Sequence, residues 1–215
     1  MEAMTHSSDL RPPGLLLDYG GVLTTSVLGS FAGFCEREGL ARSHMVDLLR
    51  SDPRVREAAV GLELGRLGEA EFEVRMAAVL GVRPQHLLAR LMADAAPDRR
   101  MRDAVRAARR QGVRTGLVSN SWGTSRYPRA ELKELFDGIV ISGEVGVRKP
   151  SSAIYELGAG AVGLSPEQCV FVDDLPANLE PAQALGMVAL HHRDTASTIS
   201  QLERLLGIPL ADTRS

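Results

Sequence analysis

Four short stretches of this sequence carry side chains that could do chemistry together. Asp18 ends the apolar run Leu15-Leu16-Leu17 and is followed by Tyr19, Gly20 and Gly21. Ser119-Asn120 follows Leu117-Val118, Lys149-Pro150 follows a glycine-containing stretch over 142–147, and Asp173-Asp174 ends Val170-Phe171-Val172. Three carboxylates brought to one point repel one another unless they are protonated or hold a cation, and an all-oxygen ligand set suits Mg²⁺. A hydroxyl, an amide and an ammonium are the donors that a bound phosphoryl group takes. A carboxylate can also be a nucleophile and form an aspartyl phosphate. From these residue types alone the chemistry is Mg²⁺-assisted phosphoryl transfer through Asp18.

Such residues meet only if the chain lays them along one edge. Short apolar runs read as buried parallel strands over 14–18, 113–119, 138–141, 168–172 and 187–190. They alternate with helical patterns over 98–110, 129–135, 151–162, 175–185 and 196–206. That rhythm predicts right-handed crossovers and a parallel sheet with helices on both faces, in which ligands bind outside the carboxyl ends of the strands. Asp18, Ser119-Asn120 and Asp173-Asp174 then share one edge, with Lys149 a little past its strand.

Between the first strand and the resumed rhythm lies a long stretch of helical periodicity without a strand pattern. We expect a link over 22–30, helices over 31–38, 45–50, from 53 onward, 69–80 and 84–92, and a second link over 61–68. Ser43 and Asp52 are the expected N-caps. The division expected is a loose tail over 1–13, a core from 14–28 and 95–215, and a helical insert over 29–94.

Composition narrows the function classes. Of 215 residues, 44% are hydrophobic, and the formal net charge is −2. That balance gives no reason to expect a nucleic-acid or anionic-membrane partner. No run approaches the roughly 18 apolar residues of a membrane span. Cys35 and Cys169 form no CxxC pair, so a cytoplasmic protein without structural zinc is expected.

The ordered motifs resemble those of the haloacid dehalogenase-like (HAD) hydrolases. Leu16-Leu17-Asp18-Tyr19-Gly20-Gly21-Val22-Leu23-Thr24 looks like motif I and Leu117-Val118-Ser119-Asn120 like motif II. Gly146-Val147-Arg148-Lys149-Pro150 looks like motif III, and the run from Val170 through Asp173-Asp174 to Asn178-Leu179 like motif IV. The match covers roughly residues 14–192. The motif IV run and the phrase from Glu63 to Phe72 look closest to the N-terminal phosphatase domain of soluble epoxide hydrolase. The resemblance implies an α/β, Rossmann-like parallel sheet core with an α-helical C1 cap inserted after the first strand. It implies that Asp18 is nucleophile and Mg²⁺ ligand, and that Gly20 lends its backbone carbonyl to the metal. Ser119 and the backbone of Asn120 would hold phosphoryl oxygens, and Lys149 would neutralise the nucleophile and the developing charge. Asp174 would bind Mg²⁺ directly and Asp173 through water. The implied partner is a small phosphorylated metabolite, with the chain a monomer or homodimer.

One position departs from the pattern. Phosphatases of the family usually carry an Asp two residues after the nucleophile, as general acid and base; this chain has Gly20. Losing such a group typically costs about 10²–10⁴ in rate. Three readings follow: substrates with good leaving groups, a replacement from the cap or the substrate, or a protein that binds phosphorylated ligands and turns them over poorly. Dehalogenases also lack that Asp, but they do not keep the acidic pair that Asp173-Asp174 preserves. Other residues have plainer alternatives. Trp122 reads equally as packing or as site lining, Asn178 as orienting its turn, Asp173-Asp174 also as an N-cap pair, and His191, His192, Arg126 and Arg129 as outside the chemistry.

Overall fold

A computed structural model describes residues 13–210, so the expected tail lies, apart from Pro13, outside the described residues. Strands β1 (Gly14–Leu17), β2 (Arg114–Ser119), β3 (Gly138–Ile141), β4 (Cys169–Asp173) and β5 (Val188–His191) form one sheet in the order β3-β2-β1-β4-β5. Every pairing is parallel. Leu17 lies opposite both Leu117 and Val172. That register puts Asp18, Ser119 and Asp173 at the same carboxyl edge, with the Asp18 amide donating to the Val172 carbonyl at 2.9 Å.

The helical segment comprises α1 (Val27–Arg37), α2 (His44–Ser51), α3 (Pro53–Glu63), α4 (Glu69–Leu80) and α5 (Leu87–Leu91). The core helices are α6 (Arg99–Arg110), α7 (Arg129–Leu135), the single turn α8 (Ser142–Val145), α9 (Ser152–Ala161), α10 (Pro176–Ala184) and α11 (Thr195–Leu206). Because strand side chains alternate between faces, Leu15 and Leu17 pack with Met101, Leu132 and Leu202 of α6, α7 and α11. Leu16, between them, points the other way, into a cluster with Ile154 and Tyr155 of α9 and Ala182 of α10. All three leucines are fully buried, each worth about 1.5–3 kcal/mol of transfer. Among the described residues, no helix is long and apolar enough to cross a membrane.

The helical segment has its own core, in which Phe31 and Phe34 of α1, Phe72 and Met76 of α4 and Leu87 and Leu91 of α5 meet. Its two connections to the sheet run side by side, bridged at Thr24 and Pro97. The Thr25 hydroxyl donates to the Asp94 carbonyl at 2.8 Å, and the Ser30 hydroxyl to that of Leu91 at 2.6 Å.

Four local expectations are corrected. The first helix starts at Val27, not 31, because Ser26 caps it, its hydroxyl accepting from the Gly29 amide at 3.2 Å. Ser43 makes no side-chain cap and already has helical backbone angles. Helix α3 runs through Gly61 to Glu63: a Cβ at Gly61 would stand 3.1 Å from Leu67 Cβ, so this glycine serves close packing and does not break the helix. Helix α5 is shorter than its pattern, because His86 just before it takes a left-handed conformation. By contrast α4 spans the expected 69–80, ended by Gly81.

Candidate active site

Lys149 is at the centre of the carboxyl edge. Its Nζ lies 2.8 Å from Asp18 Oδ1 and 2.7 Å from Asp173 Oδ2, and the side chain is fully buried. A buried cation is tolerable only when paired in this way. Burial works against its charge, but Asp18 and Asp173 outweigh burial and hold its proton affinity above the usual lysine range. Asp173 is in turn held by Asn178, whose Nδ2 donates to both carboxylate oxygens at 3.0 and 3.1 Å, and by the Leu175 amide at 2.9 Å. Asn178 thus orients this turn, as its place in the sequence suggested. Asp18 Oδ1 also accepts from the Tyr19 amide at 2.7 Å. Among the described residues none donates to Asp18 Oδ2.

One ligand atom from each of Asp18, Asp173 and Asp174 lies within 4.8 Å of the others. Three carboxylates against one ammonium leave an excess of negative charge. Burial pushes the Asp18 carboxyl up to about 7; Lys149 pulls it down, and Asp173 and Asp174 add to the rise. Burial, then the Asp173 charge, raise Asp174 to about 6. A hard divalent cation fits this all-oxygen set and would relieve the repulsion. Gly21 keeps the space clear: at φ +77° it adopts a backbone that favours glycine, and a Cβ there would stand 2.3 Å from Asp174 Oδ2. The Asp174 carbonyl is contacted by His191 Nε2 at 3.1 Å, a supporting role that its sequence position did not disclose.

Ser119 and Asn120 follow directly on this edge. The Ser119 hydroxyl is 2.8 Å from that of Tyr127, whose proton affinity burial raises. The Asn120 side chain has a role the sequence reading missed. Its Nδ2 donates to the Lys149 carbonyl at 3.1 Å, and its Oδ1 accepts from the Lys149 amide at 2.8 Å. This reciprocal pair fastens the lysine loop to the end of β2.

A cavity of about 490 Å³ opens above the edge. Its floor carries Asp18, Asn120, Lys149 and Asp174; its walls carry Val27, Phe31, Leu49 and Val60 of the helical segment. Trp122 both packs and lines. Its ring meets Phe31 at 4.9 Å and Phe72 at 5.9 Å, edge to face, and it borders this cavity and a smaller one of about 130 Å³. Arg126 borders the smaller cavity, whereas Arg129 pairs with Glu144. Gly20 lies between the cavities, facing Val27. Glu63, the last residue of α3, also reaches the larger cavity, where it pairs with Arg148. In the sequence Glu63 opens the phrase to Phe72 that carries part of the resemblance, but nothing there marked it as a residue of the site.

A family model described as haloacid dehalogenase-like hydrolase matches residues 13–186. The chain is 34% identical over 128 residues to bifunctional epoxide hydrolase 2 of Rattus norvegicus, covering 56% of this chain and 23% of that protein. It is 36% identical over 114 residues to a sesquiterpene phosphatase of Aspergillus oryzae, covering 52% of this chain and 58% of that one. The chain thus spans less than two thirds of either relative's length. A HAD family enzyme of Bacteroides thetaiotaomicron, solved in complex with magnesium and inorganic phosphate, shares the fold. Its TM-score is 0.61 at 21% identity, over 84% of this chain and 93% of that one.

Proposed function

The chain belongs to the haloacid dehalogenase-like hydrolase family, and on that premise we propose that it is a Mg²⁺-dependent phosphatase working through an aspartyl phosphate on Asp18. The observation that carries this reading is the Lys149 ammonium between Asp18 Oδ1 and Asp173 Oδ2 at the cavity floor. It neutralises one oxygen of Asp18 and leaves the other without a donor among the described residues, as a nucleophile requires.

Each residue then has a task. Asp18 Oδ2 attacks phosphorus. The Ser119 hydroxyl and the Asn120 backbone hold phosphoryl oxygens, and Lys149 balances the charge that develops on them. Asp173 and Asn178 keep Lys149 aimed, and the Asn120 side chain keeps its loop in place. Asp18 and Asp174 would hold Mg²⁺, with the Gly20 carbonyl and, through water, Asp173. The metal supplies positive charge to the phosphoryl oxygens when bound.

The helical segment acts as the cap that selects substrate. Its apolar wall over a charged floor fits a small phosphorylated metabolite with an apolar organic group, and the name of the sesquiterpene phosphatase relative supports that class. Two free, buried cysteines fit a reducing, cytoplasmic setting.

A second reading, a protein that binds phosphorylated ligands without turning them over, draws on the missing acid at Gly20. Phosphate release from p-nitrophenyl phosphate, acetyl phosphate, glucose 1-phosphate and decyl phosphate separates the two. Release that needs both Mg²⁺ and Asp18 supports the phosphatase. Release no greater than that of Asp18→Asn on every substrate favours the binding protein.

A further inference from the structure

A phosphatase without an acid at position 20 still has to protonate its leaving group and deprotonate the attacking water. Both events occur on the side of the phosphorus away from Asp18, and α3 lines the cavity that Asp18 also borders. We propose that Glu63 is the acid–base residue of this enzyme. The proposal rests on the phosphatase reading and adds a catalytic residue to it.

The choice follows from what lines the space. Among the described residues, the carboxyl groups bordering the cavity are Asp18, Asp174 and Glu63, and the first two belong to the nucleophile and metal set. The smaller cavity adds Tyr19 and Tyr127. The Tyr127 hydroxyl is engaged by Ser119 and that of Tyr19 by Arg102 at 3.4 Å, and burial makes both harder to ionise. Position 20 is closed to an acid by Val27, which occupies the space a side chain would need.

Glu63 is held for this work. Its backbone carbonyl accepts from the Ser142 hydroxyl, which itself accepts from the Ser121 amide at 2.9 Å. Two residues on, Gly65 at φ +67° lies so close to the Gly143 carbonyl that a Cβ would stand 2.2 Å from its oxygen. The end of α3 is therefore seated on the core with little freedom. Glu63 is 8% exposed. Its Oε2 forms a close ion pair with Arg148 Nε. Burial raises its proton affinity against the opposing charges of Arg148 and Lys149, and Arg148 balances the carboxylate once the proton has left.

The steps balance. As the Asp18 Oδ2–phosphorus bond forms and the phosphorus–ester oxygen bond breaks, the Glu63 carboxyl passes its proton to the departing oxygen and an alcohol leaves. The Glu63 carboxylate then takes a proton from water as that water's oxygen attacks phosphorus. The phosphorus–Asp18 bond breaks, returning the Asp18 carboxylate, protonated Glu63 and inorganic phosphate.

The test compares Glu63→Gln, Arg148→Ala and Asp18→Asn with the wild type, with Mg²⁺, on p-nitrophenyl and phenyl phosphate. p-Nitrophenolate leaves without a proton; phenolate needs one more. In Glu63→Gln the first-turnover burst of p-nitrophenolate is expected to stay within about threefold of wild type, while phenyl phosphate turnover falls about 10²–10⁴-fold. Steady turnover of the nitrophenyl ester should also fall, because the second step lacks its base. If Glu63 only straps α3 to the core through Arg148, Arg148→Ala will match Glu63→Gln on every readout, and the proposal is overturned. Equal losses of burst and phenyl turnover in Glu63→Gln, or no loss, overturn it as well. Asp18→Asn tests the underlying reading separately. Release surviving in that variant sinks the aspartyl-phosphate route itself, whereas its loss beside an unchanged Glu63→Gln removes only the role given to Glu63.

Discussion

Val27 fills the space beside Gly20: a Cβ added at position 20 would lie 2.7 Å from Val27 Cγ2. Val27 is the first residue of α1, and its branched side chain is stiff. An acid at position 20 therefore needs a second change at Val27. Gly20→Asp alone should cost about 1–3 kcal/mol through overpacking and give no gain in turnover. Gly20→Asp with Val27→Ala should recover the fold and raise hydrolysis of unactivated esters such as decyl phosphate. Melting curves and kcat/KM for the three variants check this, and a gain from the single substitution would show that Val27 yields freely.

The amide of Asn120 matters through Lys149. Asn120→Ala removes both partners of the Lys149 peptide groups, and an unmet buried polar group costs about 1–3 kcal/mol. With its loop released, Lys149 should be less well aimed at Asp18. The expected result is a lower kcat with KM for p-nitrophenyl phosphate less affected, together with a lower urea midpoint. A change in KM alone would place Asn120 in ground-state binding.

Lys149→Met should separate stability from chemistry. It leaves Asp18 and Asp173 buried without their shared counter-charge, and breaking such a pair costs about 3–5 kcal/mol. Adding Asp173→Asn should return part of that stability without returning turnover. Denaturant titrations beside phosphate-release assays read both. Recovery of activity in the double variant would argue that Lys149 serves only the fold.

Mg²⁺ should stabilise the folded chain through Asp174. At a hundredfold excess over its Kd a ligand adds about 2.7 kcal/mol, which for a chain of this length raises Tm by about 5–10 °C. Asp174→Asn should keep the fold and lose most of that rise. The same melting shift in Asp174→Asn and wild type would move the metal away from this carboxylate.

Much of this arrangement is legible in the residues themselves. The run Leu15-Leu16-Leu17 ending in Asp18, and Val170-Phe171-Val172 ending in Asp173-Asp174, announce buried strands with chemistry at their carboxyl ends. Parallel register then brings the ends together without further instruction. The periodicity of 69–80 likewise foretells α4, because helix-forming pattern and capping glycine lie within the same few turns. The sequence by itself thus determined the sheet, its carboxyl edge and the residue types on it, since each rests on local pattern. The tertiary structure alone decided what depends on distant segments meeting. Gly61 reads as a helix end in the sequence, but Leu67 packs against it and the helix continues. Asn120 grips a loop 29 residues away, and Glu63 is seated by Ser142, 79 residues on. Val27 closes the place beside Gly20. Periodicity reports which face of an element is buried, but the particular side chain opposite a given atom is set only when the helical segment packs against the sheet.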